Sequence, residues 1–111
     1  MINVVNKKTH EETPYDYYIG RPSPIGNPYS HLPHSIHAKY IVDTRDEAIN
    51  NYEEWLKYKI MEKDPVILKE LKKIIDFYKT KGEINLLCWC DPKRCHGDVI
   101  KKFLEGKLFD E

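Results

Sequence analysis

The chain has 111 residues, of which 41% are hydrophobic and 32% charged, with 18 basic and 18 acidic residues giving zero net charge. That length fits one domain and excludes a second, and the balanced charge leaves no electrostatic footprint for non-specific binding to a nucleic-acid backbone. No run approaches the roughly 18 apolar residues of a membrane span, the first five residues are too short for a signal-peptide apolar region, and three cysteines, an odd number, argue against a disulfide framework. The expectation is a single domain over residues 1–111 in a reducing cytoplasm.

Ile2–Val5 form a short apolar, β-branched run and read as the first strand. Asn6–Pro14 is polar loop. Tyr17–Ile19 reads as a second strand, ended by Gly20. Gly20-Arg21-Pro22-Ser23-Pro24-Ile25-Gly26-Asn27-Pro28-Tyr29 then packs three prolines and two glycines into ten residues, which excludes helix and central strand. The prolines stiffen the backbone, so this is a shaped loop that holds Arg21, Ser23 and Asn27 in fixed positions. His31, Pro33, His34 and His37 follow in an irregular segment, and Lys39–Val42 suits a short strand.

Thr44 with Glu47 is a capping box that opens a helix, and Ala48, Ile49, Tyr52, Trp55, Leu56 and Ile60 supply its apolar stripe. Asp64-Pro65 starts a second helix, an N-cap followed by proline at the first helical position. Leu68, Leu71, Ile75 and Tyr78 mark its expected buried face, and Gly82 its stop. Glu83–Cys90 reads as a strand, apolar from Ile84 to Cys90 apart from Asn85, the pattern of a strand buried on both faces. A last helix runs from about Cys95 to Glu105, with Val99, Ile100, Phe103 and Leu104 inward. Trp55 and Trp89 are expected in the core. The class is α/β: a small, mostly parallel sheet with helices packed on it in a Rossmann-like, three-layer manner.

Chemistry concentrates between Leu86 and Ile100, which holds all three cysteines. Strand alternation puts Cys88 and Cys90 on one face, while Cys95 and His96 fall at a helix N-terminus, where the dipole attracts anions and favours thiolate. Three readings stay open. Cys88, Cys90, Cys95 and His96 are enough ligands for tetrahedral zinc, although C-x-C-x4-C-H is not the usual C-x2-C pairing. Cys95 can be a nucleophile with His96, or with His31, His34 or His37, as base. Or the cysteines only pack in the core, with Asp98 placed in the first turn to favour the dipole.

The proline-rich loop has two readings as well. It is either a braced connection or an anion clamp built from Gly20, Arg21, Ser23, Gly26 and Asn27, combining the guanidinium with backbone N–H groups. It matches neither the G-x4-G-K-[ST] nor the G-x-G-x-x-G phosphate loop.

Three blocks resemble one domain family. They are Tyr18–Tyr29, then Thr44-Arg45-Asp46-Glu47-Ala48-Ile49 with Tyr52 and Trp55-Leu56, then Cys88-Trp89-Cys90 with Cys95-His96-Gly97-Asp98-Val99. In that order they resemble the uncharacterised family DUF4326, small phage and bacterial proteins with "GR…GNP", "TREEAI…Y…WL" and "CWC…P…CHGDV" blocks. The last block is similar, more loosely, to the "C…CHR" end of DUF488, with glycine where that family has arginine. The resemblance spans roughly residues 17–104. It brings no activity and implies only that the two focal blocks belong to one recurrent domain.

Together these readings favour a phage-type cytoplasmic domain that binds a small anionic ligand, a nucleotide or phosphorylated nucleoside derivative. The ligand would sit between the Gly20–Tyr29 loop and the Cys95–Asp98 helix start. Catalysis by Cys95 with His96 or Asp98 is left open. The competing expectations are a non-catalytic protein-interaction module acting on a host factor and a structural zinc domain.

Overall fold

The computed structural model describes residues 1–21, 23–30, 39–89 and 95–109, and the side chains of these as far as 106. Strand β1 (Ile2–Asn6) leads through a loop to β2 (Asp16–Tyr18). Two-residue strands β3 (Tyr29–Ser30) and β4 (Tyr40–Ile41) pair in parallel as a separate ribbon. Helices α1 (Arg45–Met61) and α2 (Pro65–Lys81) follow, then β5 (Ile84–Cys88) and α3 (His96–Phe109). The main sheet is parallel, in the order β1-β5-β2. Its central strand is the last one in the chain, and all five of its residues are buried.

The helix boundaries follow local chemistry. Thr44 caps α1 by accepting the Glu47 N–H at 3.1 Å, while the Glu47 carboxylate takes the Asp43 N–H at 3.3 Å. Asp64 caps α2 through the N–H groups of Val66 and Ile67 at 3.0 and 3.1 Å. Gly82 ends α2 in the left-handed conformation (φ 78°), where a Cβ would be strained.

The sheet has two unlike faces. Val4, Leu86 and Tyr17 stand side by side in register on one. There Tyr17 donates its hydroxyl to Glu70 of α2 at 2.7 Å, and Val4 lies beneath Gly97 of α3. Helices α2 and α3 therefore share this face, and α1 packs against α3. Burial and the Glu70 carboxylate push the Tyr17 hydroxyl well up, so it stays a donor at ordinary pH.

The other face carries Asn3, Asn85 and Asp16 in register. The Asn3 amide donates to Asn85 at 2.9 Å, and the Asn85 amide donates to Asp16 at 3.1 Å and to the Thr13 hydroxyl at 3.3 Å. Asn85, the one polar break in its strand, thus ties both neighbouring strands to the central one. The layer on this side is the loop around His10 and Thr13.

Of the expected inward residues of α2, Leu71 is buried and Ile75 and Tyr78 pack against the core, but Leu68 is not inward. The helix buries Ile67, Glu70, Leu71 and Ile74, and Leu68 is exposed. Ile67 and Leu68 are both apolar, so spacing alone did not choose between them; the Tyr17 bond to Glu70 and the apolar run Ile67-Leu71-Ile74 did.

Candidate ligand-binding site

The loop after β2 is held by its own backbone. Ser23 N–H donates to the Gly20 carbonyl at 2.9 Å and Gly26 N–H to the Ser23 carbonyl at 2.8 Å, two successive tight turns. The Ser23 hydroxyl is spent inside this turn, accepting the Ile25 N–H at 3.3 Å. A Cβ on Gly26 would come within 3.0 Å of Arg21 backbone atoms, so glycine lets the loop fold back on itself. Ile25 is fully buried, and its carbonyl accepts the Tyr52 hydroxyl at 2.7 Å. Asn27 donates to the Ala48 carbonyl at 3.3 Å. The loop is therefore fastened to α1 at two points, which sets where Arg21 stands.

The start of α3 forms the facing wall. Cys95 is the residue before the first helical turn, and its N–H donates to the Asp98 carboxylate at 3.0 Å. Asp98 is thus occupied as the reaching-back arm of a cap and is not among the residues that line the cavity. His96 is buried, and its Nε2 lies 2.8 Å from the Ile19 carbonyl. A carbonyl only accepts, so Nε2 carries the proton and Nδ1 keeps the lone pair. Burial, with help from the Arg21 charge and against the Ile19 bond, holds the ring down to about 4, so it is neutral at physiological pH. Its edge meets the Tyr52 ring at 5.3 Å.

Cys95 Sγ lies 3.1 Å from Cys88 Sγ and accepts the Gly97 N–H at 3.3 Å. Two effects here oppose the thiolate that the helix start favours. The hydrogen bond with Cys88 and burial push the Cys95 thiol well above its usual range, and the pull of the Gly97 N–H is too weak to reverse it. A helix dipole acts on a lone cysteine; a second sulfur at contact distance outweighs it.

Between the walls lies a cavity of about 250 Å³ whose lining includes Gly20, Arg21, Asn27, Arg45, Cys95 and His96. Both blocks singled out in the sequence therefore meet in one place, at the carboxyl ends of β2 and β5, where open α/β sheets bind ligands. Ser23 and Gly26 lie apart, on a neighbouring cleft of about 280 Å³ that shares Arg21 and Asn27 and adds Lys39. The described lining of the first cavity contains two arginines and no carboxylate. Arg21 lines both cavities, and its Nη1 is buried with no hydrogen-bond partner among the described residues.

Trp89 is a correction. Expected in the core, it is 55% exposed at the mouth of this cavity. Its indole N–H donates to the Tyr18 hydroxyl at 3.1 Å, and that hydroxyl donates to the Arg21 carbonyl at 2.7 Å. One relay thus orients the indole relative to the Arg21 backbone. Trp89, Tyr18 and Arg45 are site residues that sequence reasoning missed.

Cys90, one of the four expected zinc ligands, and the alternative bases His31, His34 and His37 lie outside the described residues. Among the described residues no three His, Cys, Asp or Glu side chains converge as a metal set. No helix among them is long and apolar enough to cross a membrane. A larger groove of about 390 Å³ runs between α1 and α3, walled by Leu56, Ile60, Val99 and Phe103, with charge only from Glu53, Lys57 and Lys102. It lacks the converging buried polar groups of the smaller cavity.

A family profile described as "Domain of unknown function (DUF4326)" matches residues 2–106. The chain belongs to the DUF4326 family. The match takes in both walls of the cavity and every strand of the sheet, so the cavity is internal to the DUF4326 unit. No curated protein and no solved structure matches this DUF4326 chain.

Proposed function

We propose that this DUF4326 protein binds a small anionic ligand, a nucleotide or another phosphorylated nucleoside derivative, between the Gly20–Tyr29 loop and the start of α3. The observation that carries the reading is the buried, unpartnered Nη1 of Arg21. Leaving a buried donor unsatisfied costs about 1–3 kcal/mol, and an anionic oxygen reaching it recovers that cost with a charge-assisted bond. Arg45 adds a second guanidinium, and the first turns of α1 and α3 both border the space. Trp89 offers an exposed ring to a base, and such stacking contributes about 1–3 kcal/mol.

The same geometry favours binding over Cys–His catalysis. His96 is neutral with Nε2 committed to Ile19, Asp98 is committed to the cap, and Cys95 is held protonated beside Cys88.

Thermal unfolding with inorganic phosphate, nucleoside monophosphates and the matching nucleosides tests this. At ligand a hundredfold above Kd the gain is about 2.7 kcal/mol, or on the order of 10 °C in Tm. The phosphorylated compounds should raise Tm and quench Trp89, and Arg21→Ala should remove the shift. No shift from any of them, or an equal shift in Arg21→Ala, overturns the reading.

A further inference from the structure

Cys88 and Cys95 take no part in anion binding, yet their sulfurs sit 3.1 Å apart, unbridged, on two different elements. A disulfide needs about 2.05 Å, so closing one requires only about 1 Å of sulfur movement. The two sulfurs are not equivalent. Both are buried, but Cys95 is among the residues that line the cavity and Cys88, at the end of β5, is not. A small reagent in the cavity meets Cys95 first and finds Cys88 already positioned to resolve the product.

We propose that Cys88 and Cys95 are a reversible dithiol–disulfide pair, with Cys95 as the reacting sulfur, Cys88 as the resolving sulfur, and a hydroperoxide as oxidant. Cys95 gives up its proton, and its sulfur attacks a peroxide oxygen. The O–O bond breaks, and the departing oxygen takes a proton and leaves as water (or, from an organic peroxide, as alcohol). Cys95 is then a sulfenic acid. The Cys88 sulfur attacks it, the S–O bond breaks, and the hydroxide leaves as water with the Cys88 proton. The two thiols lose two electrons and two hydrogens, and the peroxide takes them up. Each sulfur must lose its proton before it attacks, and since Cys88 and burial keep the resting Cys95 thiol protonated, the reaction should quicken as pH rises.

The proposal does not depend on the ligand reading: it stands if no anion binds, and it fails independently.

The test is treatment of the full chain with hydrogen peroxide, followed by intact mass and non-reducing tryptic mapping. Trypsin cuts after Lys93 and Arg94, which separates Cys88 from Cys95 but leaves Cys90 with Cys88. The Cys90→Ser variant removes that ambiguity. It should still lose two hydrogens and give a single linked pair of peptides, restored by dithiothreitol. In Cys88→Ser the reaction should stop at a sulfenic acid on Cys95 that dimedone traps. If Cys88→Ser does not fold, the Cys90→Ser map alone decides. Overturning results are a linkage in the wild type that disappears in Cys90→Ser, or peroxide treatment that leaves the Cys88 and Cys95 thiols unlinked.

Discussion

The Asp16 carboxylate is the most heavily bonded charge on the polar face of the sheet, and removing its charge has a calculable effect. Burial by itself would raise its pKa. The Thr13 N–H at 2.9 Å, the Thr13 hydroxyl at 2.8 Å, the Asn85 amide at 3.1 Å and the His10 ring at 2.9 Å outweigh burial and hold the carboxyl down at about 2. An aspartate that ionises near 2 in the fold and near 3.9 in the unfolded chain contributes about 2.6 kcal/mol at neutral pH. Its side chain is 10% exposed on the solvent side of the sheet, and screening there lowers the figure to about 1–2 kcal/mol. The folded pKa is the depressed one. The stabilisation is therefore complete above the unfolded value and is lost as pH falls from about 3.9 toward about 2.

The perturbation is Asp16→Asn, and the assay is urea unfolding of both proteins at pH 7, 5, 4 and 3. Subtracting one from the other cancels every other carboxylate. The gap should be about 1–2 kcal/mol at pH 7 and 5 and should narrow by pH 3. A gap that stays constant over that range would refute the claim that the charge, and not the shape, of Asp16 holds the ladder.

Two further outcomes follow from packing and capping. A Cβ on Gly97 would lie 2.8 Å from Val4 Cγ1 and 3.1 Å from Ile19 Cδ1, so Gly97→Ala should lift α3 from the sheet and cost about 1–3 kcal/mol, read as a lower urea midpoint. Thr44→Ala removes the acceptor at the start of α1 and should cost about 1 kcal/mol by the same measurement.

What could be seen in advance divides along a physical line. The caps at Thr44 and Asp64, the stop at Gly82 and the turns of the Gly20–Asn27 loop are set by residues within a few positions of each other, so they could be read directly. Arg21, Asn27, Cys95 and His96 do share a cavity, as the stiff loop and the helix start suggested. Trp89 was misplaced because an apolar run from Ile84 reads as buried throughout; pairing ends at Cys88, and the next side chain stands past the sheet. The sulfur beside Cys95 was out of sight for a related reason. A helix dipole is local and visible in sequence, whereas the Cys88 sulfur reaches Cys95 only once β5 and α3 have packed.

The placement of β5 also sets an order of assembly. Among the described strands β1 and β2 are not neighbours; each pairs with β5. Asn3 finds Asn85 across 82 positions, and Asp16 finds it across 69. Such distant pairings make folding slow. During synthesis the first 81 residues can form the α1–α2 hairpin but have no main sheet to join. That sheet has no pairing among its described strands until its middle strand, β5, has been made. Trp89 and the Cys95 end of α3 follow β5 in the chain, so a chain ended after α2 would lack both the completed sheet and one wall of the cavity.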